Sequence, residues 1–199
     1  MRSSARFYDA LVWVLTFGRE GAFRARLLDL ARLAPGESVL DVGCGTGTLA
    51  IAAKRRVGSG EVRGVDASPE MIARAKRKTA KAGTDVVFDI AVAESLPFPE
   101  ARFDVVLSTL MLHHLPRATR EQCAREIRRV LKPGGRVLAV DFATPAHQHR
   151  GLLGHLHRHG HLSQEKVAEV LRDAGLVVAE SGPVGFRELH FTLAMRPQQ

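Results

Sequence analysis

Short apolar segments alternate with amphipathic helical segments along most of this 199-residue chain, and that alternation limits the folds open to it. Strands are predicted at 38–43, 61–67, 85–92, 103–110 and 136–142. Helices are predicted between most of them and after the last, at 48–57, 68–83, 119–131 and 163–175. Strands joined by helical crossovers lie parallel in one sheet, with helices on its two faces. The pattern therefore predicts an α/β fold with a Rossmann-like, doubly wound sheet.

Both ends of the sequence add elements to this pattern. Two more strands, "LVVAESGPV" and "HFTLAMRP", are predicted near the C-terminal end. The connecting residues "GFRE" are too few for a helical crossover, so we expect the last strand to be antiparallel to its neighbour. The sheet then has seven strands and is otherwise mostly parallel. Apolar residues at helical spacing across 4–33, interrupted by Gly18 and Gly21, predict two N-terminal helices.

Three glycines, Gly43, Gly45 and Gly47, separate the first predicted strand from the helix that follows. Ligands of open parallel sheets bind beyond the carboxyl ends of the strands, and glycine lets the backbone turn sharply and approach a ligand there. The amides at the helix start favour a carboxylate or phosphate. A dinucleotide fingerprint needs glycine or alanine where this chain has Thr48. The spacing therefore argues against a nicotinamide or flavin enzyme.

An acidic residue, Asp66, ends the second predicted strand. A carboxylate at this place can accept hydrogen bonds from both ribose hydroxyls of a nucleoside that lies across the strand ends. The alternative is that Asp66 only caps the next helix. Ser68 is already placed as the N-cap of that helix, with Pro69 at its first position, so we favour the ribose contact.

Five motifs between residues 39 and 142 resemble, in the same order, those of class I S-adenosylmethionine-dependent methyltransferases. They are "VLDVGCGTG", "GVDASPEMIARAK", "AESLPFPEARFDVVLS", "LHHLP" and "EIRRVLKPGGRVLAVDF". The sequence is most similar to the branch that includes ubiquinone and menaquinone biosynthesis C-methyltransferases. The resemblance implies a seven-stranded sheet, S-adenosyl-L-methionine as the cofactor, and methyl transfer to a small-molecule or lipid-like acceptor.

The resemblance also implies which residues contact the methionine part of the cofactor. The backbone at Gly43, Cys44 and Gly45 would lie along it. Asp41 would reach its amino group through water, and Thr109 would offer its carbonyl to the same ammonium.

The nucleoside contacts implied by the resemblance come from the next two strands. Asp66 would hold the ribose, and Ala67 would pack on the adenine. Ala93 and Glu94 would lie at the edge of the adenine. In this family an aspartate commonly precedes that "AE" pair, whereas this chain has Val92, which predicts somewhat weaker adenine recognition, since one hydrogen bond contributes about 1 kcal/mol.

Three further residues are candidates on the acceptor side. His113 and His114 follow the fourth strand, where a histidine can accept a proton, but a role in shaping the pocket wall is favoured. Tyr8 resembles an aromatic residue that closes over the cofactor in relatives, and packing within its own helix is the alternative. No residue is assigned as catalytic, because the sulfonium already activates the methyl group and alignment supplies much of the rate.

We expect one methyltransferase domain over residues 1–199. Its parts are N-terminal lid helices (1–33), the cofactor-binding core (34–142), a histidine-rich lid segment (143–162) and a C-terminal helix with two strands (163–199). Six of the nine histidines lie between residues 147 and 161. No cysteine or carboxylate lies near them to complete a usual metal-ligand set, so we predict no metal site and favour a lid over the acceptor.

Charge and composition restrict the partners. The formal charge of +8 favours an anionic acceptor. Nucleic acid is disfavoured, because "STLMLHHLP" stands where adenine-specific enzymes have an Asn/Asp-Pro-Pro-aromatic motif. Neither Cys44 nor Cys123 is placed to attack a cytosine ring. The apolar first helix, with Arg2, Arg6 and Arg19, is compatible with contact to a membrane surface, although packing on the sheet is favoured.

The remaining expectations are broader. Only two cysteines and no signal peptide predict a reduced, cytoplasmic protein. The alternatives to a small-molecule methyltransferase are an RNA or protein methyltransferase and a non-catalytic S-adenosylmethionine-binding protein that regulates a partner. The sequence does not predict the oligomeric state, the acceptor or the atom that is methylated.

Overall fold

A computed structural model describes residues 20–142, 162–186 and 188–198 of the chain. The helices are α1 (Glu20–Leu30), α2 (Thr48–Val57), α3 (Pro69–Ala82), α4 (Arg117–Val130) and α5 (Gln164–Asp173), with a 3₁₀ turn at Leu112–His114. The strands are β1 (Val39–Val42), β2 (Val62–Asp66), β3 (Val87–Ile90), β4 (Phe103–Thr109), β5 (Leu131–Phe142), β6 (Val177–Pro183) and β7 (Leu189–Met195). The first predicted helix with Tyr8, and the histidine-rich segment up to residue 161, lie outside the described residues.

The seven strands form one sheet in the order β3-β2-β1-β4-β5-β7-β6. The strands β1 to β5 pair in parallel, and β7 is antiparallel to both β5 and β6. The predicted Rossmann-like, doubly wound sheet with an antiparallel last strand is confirmed. Because β1 to β5 are parallel, their carboxyl ends meet along one edge.

Helices cover both faces of the sheet and bury two apolar cores. One core lies beneath α1, α2 and α3 and includes Leu27, Ile51 and Ile72. The other lies beneath α4 and α5 and includes Ile127 and Leu171. Strands buried on both faces read as continuous apolar runs, which is why "VLDV" of β1 is buried at all four positions.

Local signals set the ends of α3 as predicted. The Ser68 hydroxyl accepts a hydrogen bond from the Met71 amide at 3.3 Å, and Gly83 ends the helix in the left-handed conformation. The start of β5 differs from the prediction. The strand begins at Leu131, directly after α4, because Leu131 pairs with Phe103 before a register shift leads to Arg136 opposite Val105.

Candidate functional site

A cavity of about 510 Å³, open to solvent, lies at the carboxyl ends of β1 and β4 and is bordered by α1 and the start of α2. Four predicted site residues, Asp41, Gly43, Cys44 and Thr109, line it together. Its other polar lining residues are Arg24, Thr46 and Thr48. Gly45, which the same prediction includes, lies in the glycine loop between Cys44 and Thr46.

The glycine loop serves two different purposes. A Cβ on Gly43 would lie 2.5 Å from Met111 Cγ, so the chain after β4 packs directly against the loop beside the cavity. A Cβ on Gly47 would lie 2.5 Å from Phe88 Cζ and 2.9 Å from the Ala75 Cβ. Both glycines have positive φ, at 72° and 76°. Gly47 is therefore required by the packing of an aromatic ring, whereas the sequence analysis had grouped it with the ligand-facing glycines.

Asp41 is a buried carboxyl group, only 2% exposed, and its Oδ2 has no hydrogen-bond partner in the described structure. Burial and the nearby Asp66 charge raise its pKa from 3.8 to about 7, although a hydrogen bond from the Ala50 amide opposes the shift. That amide belongs to the first turn of α2, whose N-cap Gly47 has no side chain to accept it. An unpartnered buried oxygen facing a cavity fits a cationic ligand group.

Asp66 holds the glycine loop to the start of α3. One carboxylate oxygen accepts from the Gly45 amide and the other from the Ser68 amide, each at 2.9 Å. Asp66 stays half-buried and Ala67 is exposed, so both reach the solvent-facing edge of the sheet. The helix-capping alternative is correct in part, since Asp66 does bond the Ser68 amide. Each carboxylate oxygen has lone pairs left for a further donor.

The segment after β3 carries Ala93 and Glu94, both half-buried, and it lies beside Asp66 because the Ala91 amide donates to the Asp66 carbonyl at 3.2 Å. Helix α4 holds its later part: the Glu126 carboxylate accepts from the Leu96 amide at 2.8 Å. Val92 is 43% exposed at this edge, and Ile90 is 58% exposed. The predicted nucleoside contacts are thus neighbours, and the surface beside them is apolar at Val92.

Thr109 and Leu110 form the turn that leaves β4. The Thr109 hydroxyl is buried without a hydrogen-bond partner in the described structure. Leu110 has a φ of 56°, unusual for a residue other than glycine, and its amide donates to the Val140 carbonyl at 2.8 Å. Backbone strain of this kind clusters at functional sites. The turn directs the following residues across the end of the sheet.

Arg24 of α1 is a cavity residue that the sequence analysis did not identify. Its guanidinium pairs with Glu20 one turn earlier on the same helix. The apolar residues of α1 predicted a packed helix, and nothing in that pattern distinguished Arg24 from the other cations of the segment. Its position brings a positive charge to the cavity wall that also includes Thr48, while Asp41 lies in the same lining.

His113 and His114 lie in the 3₁₀ turn after β4, with ring centroids 3.8 Å apart. His113 Nδ1 is 2.6 Å from Asp141 Oδ1. Asp141, at the end of β5, is 5% exposed and was not singled out from the sequence. Burial and the neighbouring His113 lower the pKa of His114. The structure therefore joins one predicted histidine to a carboxylate 28 residues away.

Neither cysteine of the chain is a reactive thiol. Burial, with the nearby Asp41 and Asp66 charges, raises the pKa of Cys44 far above its usual range. Burial also raises the pKa of Cys123 to about 12, and the carboxylates Glu94 and Glu126 add to the shift. Because the thiolate is the nucleophile, this environment agrees with the absence of a cysteine mechanism.

Two searches returned nothing across residues 20–142, 162–186 and 188–198. No group of three or more His, Cys, Asp or Glu side chains there is arranged to hold a metal ion. None of the helices in that part of the chain has the length and apolar character needed to cross a membrane.

Comparison with known proteins places this site in a family. Residues 39–135 match the methyltransferase domain. A demethylmenaquinone methyltransferase from Thermus thermophilus is 38% identical over 151 residues, which are 76% of this chain and 66% of that protein. The chain belongs to the class I S-adenosylmethionine-dependent methyltransferases. S-Adenosylmethionine is the methyl donor of this family.

Two further relatives show how widely this methyltransferase is related. A 27-O-demethylrifamycin SV methyltransferase from Amycolatopsis mediterranei is 40% identical over 119 residues, 59% of this chain and 43% of that protein. The crystal structure of a SAM-dependent methyltransferase from Aquifex aeolicus matches with a TM-score of 0.78 at 23% identity, covering 98% of this chain and 99% of that one, and so shows the shared fold. This methyltransferase spans less than two thirds of the length of the curated relatives it matches.

Proposed function

We propose that this protein transfers a methyl group from S-adenosylmethionine to a small-molecule or lipid-like acceptor. The observation that carries the proposal is the cavity beside the glycine loop, which has an acid and a base in its lining. Asp41, with its unpartnered Oδ2, suits an ammonium, and Arg24 with the hydroxyl of Thr48 suits a carboxylate. A zwitterionic amino-acid end needs both groups at once.

In this proposal the methionine end lies along Gly43, Cys44 and Gly45. Asp41 binds the ammonium, and the carbonyl of Thr109 is its second acceptor. The positive φ of Gly43 and Gly45 supports the assignment, because glycine keeps Cβ atoms out of the ligand's path.

The nucleoside end lies on the neighbouring strand ends in the same proposal. Asp66 accepts from the ribose hydroxyls, while its bonds to the Gly45 and Ser68 amides fix the direction of its carboxylate. Ala67 packs on the adenine, and Ala93 and Glu94 lie at its edge. With Val92 at this edge, no carboxylate from that position meets the adenine amino group, and a backbone amide such as that of Ala93 is left to recognise the ring.

The bound cofactor supplies a methyl group already activated by its sulfonium. The chain's own residues then have to hold the two reactants in line and exclude water, which can lower the barrier by several kcal/mol. Leu27 and Leu110 give the cavity apolar walls that suit this task.

Several broader assignments complete the proposal. The two relatives named above act, by their names, on a menaquinone precursor and on a rifamycin precursor. A small or lipid-like acceptor therefore suits this chain, and the +8 charge suits an anionic one. We propose a single domain in the cytoplasm, with residues 1–33, including Tyr8, and residues 143–162 on the acceptor side. Peripheral contact with a membrane fits a lipid-like acceptor.

Replacing Asp66 tests the cofactor site. We expect Asp66→Ala to weaken S-adenosylmethionine binding at least tenfold, about 1.4 kcal/mol, because the charged acceptor of the ribose hydroxyls is lost. Isothermal titration calorimetry measures the dissociation constant, with Asp89→Asn on β3 as a control away from the cavity. An unchanged dissociation constant would show that the ribose lies elsewhere.

Turnover is tested separately with S-adenosylmethionine labelled in its methyl group and a cell extract, with and without lipids. We expect label in a small-molecule or lipid fraction. Tight cofactor binding with no label in any fraction would favour the non-catalytic binding protein, and label in RNA or protein would favour the other alternative.

Arg24 allows a second test that separates the two ends of the amino-acid tail. We expect Arg24→Ala to weaken S-adenosylmethionine binding at least tenfold, because a charge-assisted hydrogen bond to the carboxylate is lost. Decarboxylated S-adenosylmethionine, which lacks that carboxylate, should bind both proteins alike. Arg26→Ala is the matched control, since Arg26 is exposed on the same helix outside the cavity lining. Equal losses for the two ligands would contradict the assignment.

A further inference from the structure

His113 and Asp141 form a hydrogen-bonded pair whose geometry is fixed from several sides. The Asp141 carboxylate accepts from the His113 amide at 3.0 Å and from the Phe142 amide at 2.9 Å, and its Oδ1 lies 2.6 Å from His113 Nδ1. The Arg120 guanidinium of α4 donates to the Leu112 carbonyl at 3.1 Å and to the Leu115 carbonyl at 2.8 Å, which holds the turn that carries His113.

This arrangement determines which nitrogen of His113 can accept a proton. A carboxylate that already accepts from two amide groups acts as an acceptor, so the hydrogen of the neutral imidazole lies on Nδ1. Nε2 is then the basic nitrogen. The His113 side chain is 19% exposed, whereas that of Asp141 is 4% exposed, so the ring reaches solvent while its partner stays buried.

The pair lies next to the cofactor cavity. Thr109 and Leu110 line the cavity, and the side chain of Met111 packs against Gly43 of the glycine loop. His113 follows two residues later. Its neighbours are His114, stacked at 3.8 Å, and Phe142, whose ring centroid is 5.4 Å away. Across the sheet, His190 of β7 pairs in register with Asp141 and is bonded to Gln164.

We infer that His113 is the general base of the transfer and Asp141 its positioning residue, and that the acceptor reacts through a hydroxyl group that must lose its proton. The inference rests on the proposed methyltransferase function. A neutral amine can attack a sulfonium methyl with its free lone pair and needs no base beforehand, whereas a neutral hydroxyl is a poor nucleophile. An oriented base is of use for the second kind of acceptor.

The step balances as follows. Nε2 of His113 takes the hydroxyl proton, and the oxygen, or a ring carbon conjugated with it, forms a bond to the methyl carbon. The bond between the methyl carbon and sulfur breaks, and its electron pair stays on the sulfur, which becomes a neutral thioether. The imidazolium, stabilised by Asp141, returns its proton to solvent. When a ring carbon is methylated, that carbon also loses its own hydrogen as a proton.

The test uses the full chain, labelled S-adenosylmethionine and a cell extract that contains lipids, and it measures label incorporation and cofactor affinity separately. We expect His113→Ala and Asp141→Asn each to reduce incorporation about 100-fold, within the usual range for a general base. Cofactor dissociation constants should stay within about twofold, because the pair touches the acceptor side only. Asp141→Glu should restore part of the rate.

The matched control is Asp104→Asn, since Asp104 lies at the opposite end of β4 and bonds Ser38 and Lys132. It should leave incorporation unchanged. NMR of the His113 ring nitrogens adds a readout that a purely structural role would not move. The wild-type protein should show the Nδ1–H form, and Asp141→Asn should lose that preference.

The outcomes are distinct. Normal incorporation by His113→Ala or Asp141→Asn, or an N-methylated amine as the labelled product, overturns the inference while the methyltransferase function stands. A wild-type protein that neither binds S-adenosylmethionine nor transfers its label overturns the proposed function and this inference with it. Labelled methyl ethers or ring-methylated phenols that depend on both residues support it.

Discussion

Replacing Asp41 by asparagine is expected to stabilise the ligand-free protein at pH 8 and, at the same time, to weaken S-adenosylmethionine binding at least tenfold. The pKa of Asp41 rises from 3.8 to about 7 on folding, chiefly because the group is buried. A carboxyl group with a raised pKa binds a proton more tightly in the folded state. Its contribution to stability is therefore fully present below about pH 4 and lost as the pH rises through about 7.

The size of the effect follows from the same shift. Three pKa units correspond to roughly 4 kcal/mol, and an amide keeps part of this cost because its NH₂ group needs partners, so we expect a net gain of roughly 2 kcal/mol for Asp41→Asn. Urea unfolding between pH 5 and pH 8 measures it. The free energy of unfolding of the wild-type protein should fall over this range more steeply than that of the variant.

Cofactor affinity should change in the opposite sense. In the wild-type protein, binding of an ammonium should strengthen as Asp41 ionises near pH 7, whereas the affinity of Asp41→Asn should lack this pH dependence. Calorimetry at pH 6 and pH 8 measures both. A variant that is less stable at pH 8 yet binds the cofactor normally would show that Asp41 serves the fold rather than the ligand.

Gly47→Ala is expected to destabilise the fold by about 3 kcal/mol. A Cβ at this position would meet the Phe88 ring at 2.5 Å and the Ala75 Cβ at 2.9 Å, and neither neighbour is a flexible chain end. Overpacking a core costs about 1–3 kcal/mol, and a left-handed residue other than glycine adds about 1–2 kcal/mol. Chemical denaturation measures the loss.

Gly83→Ala is the matched control for this change. Gly83 also has a positive φ, of 62°, but a Cβ there meets nothing within 4 Å, so the control carries the backbone cost alone. The double variant Gly47→Ala with Phe88→Leu should recover part of the difference, because a smaller side chain relieves the contact. Equal losses for Gly47→Ala and Gly83→Ala would mean that Phe88 plays no part.

Where the signals are local, the sequence predicted the structure well. Ser68, Pro69 and Gly83 fix the ends of α3 through contacts within a few residues, and they lie where the pattern indicated. The alternation of apolar strands and helices likewise led to the observed seven-stranded sheet. The start of β5 at Leu131 was missed, because its pairing with Phe103 depends on a strand 28 residues earlier.

For the candidate site, the ordered motifs led to Asp41, Asp66 and Thr109 but not to two of their neighbours. Arg24 enters the cavity from a helix that precedes the motifs. Asp141 stands in a strand that reads as an ordinary buried run, "RVLAVDF", and only its contact with His113 distinguishes it.

By itself, the sequence determined the fold class, the glycine loop at the strand ends and the family. These features follow from periodicity, from backbone conformations that only some residues adopt, and from motifs in a fixed order. Only the tertiary structure decided which glycine serves Phe88, which cation joins Asp41 in one cavity and which carboxylate orients His113. Each of these depends on contacts between side chains that are distant along the chain, and their spacing in sequence carries no information about such contacts.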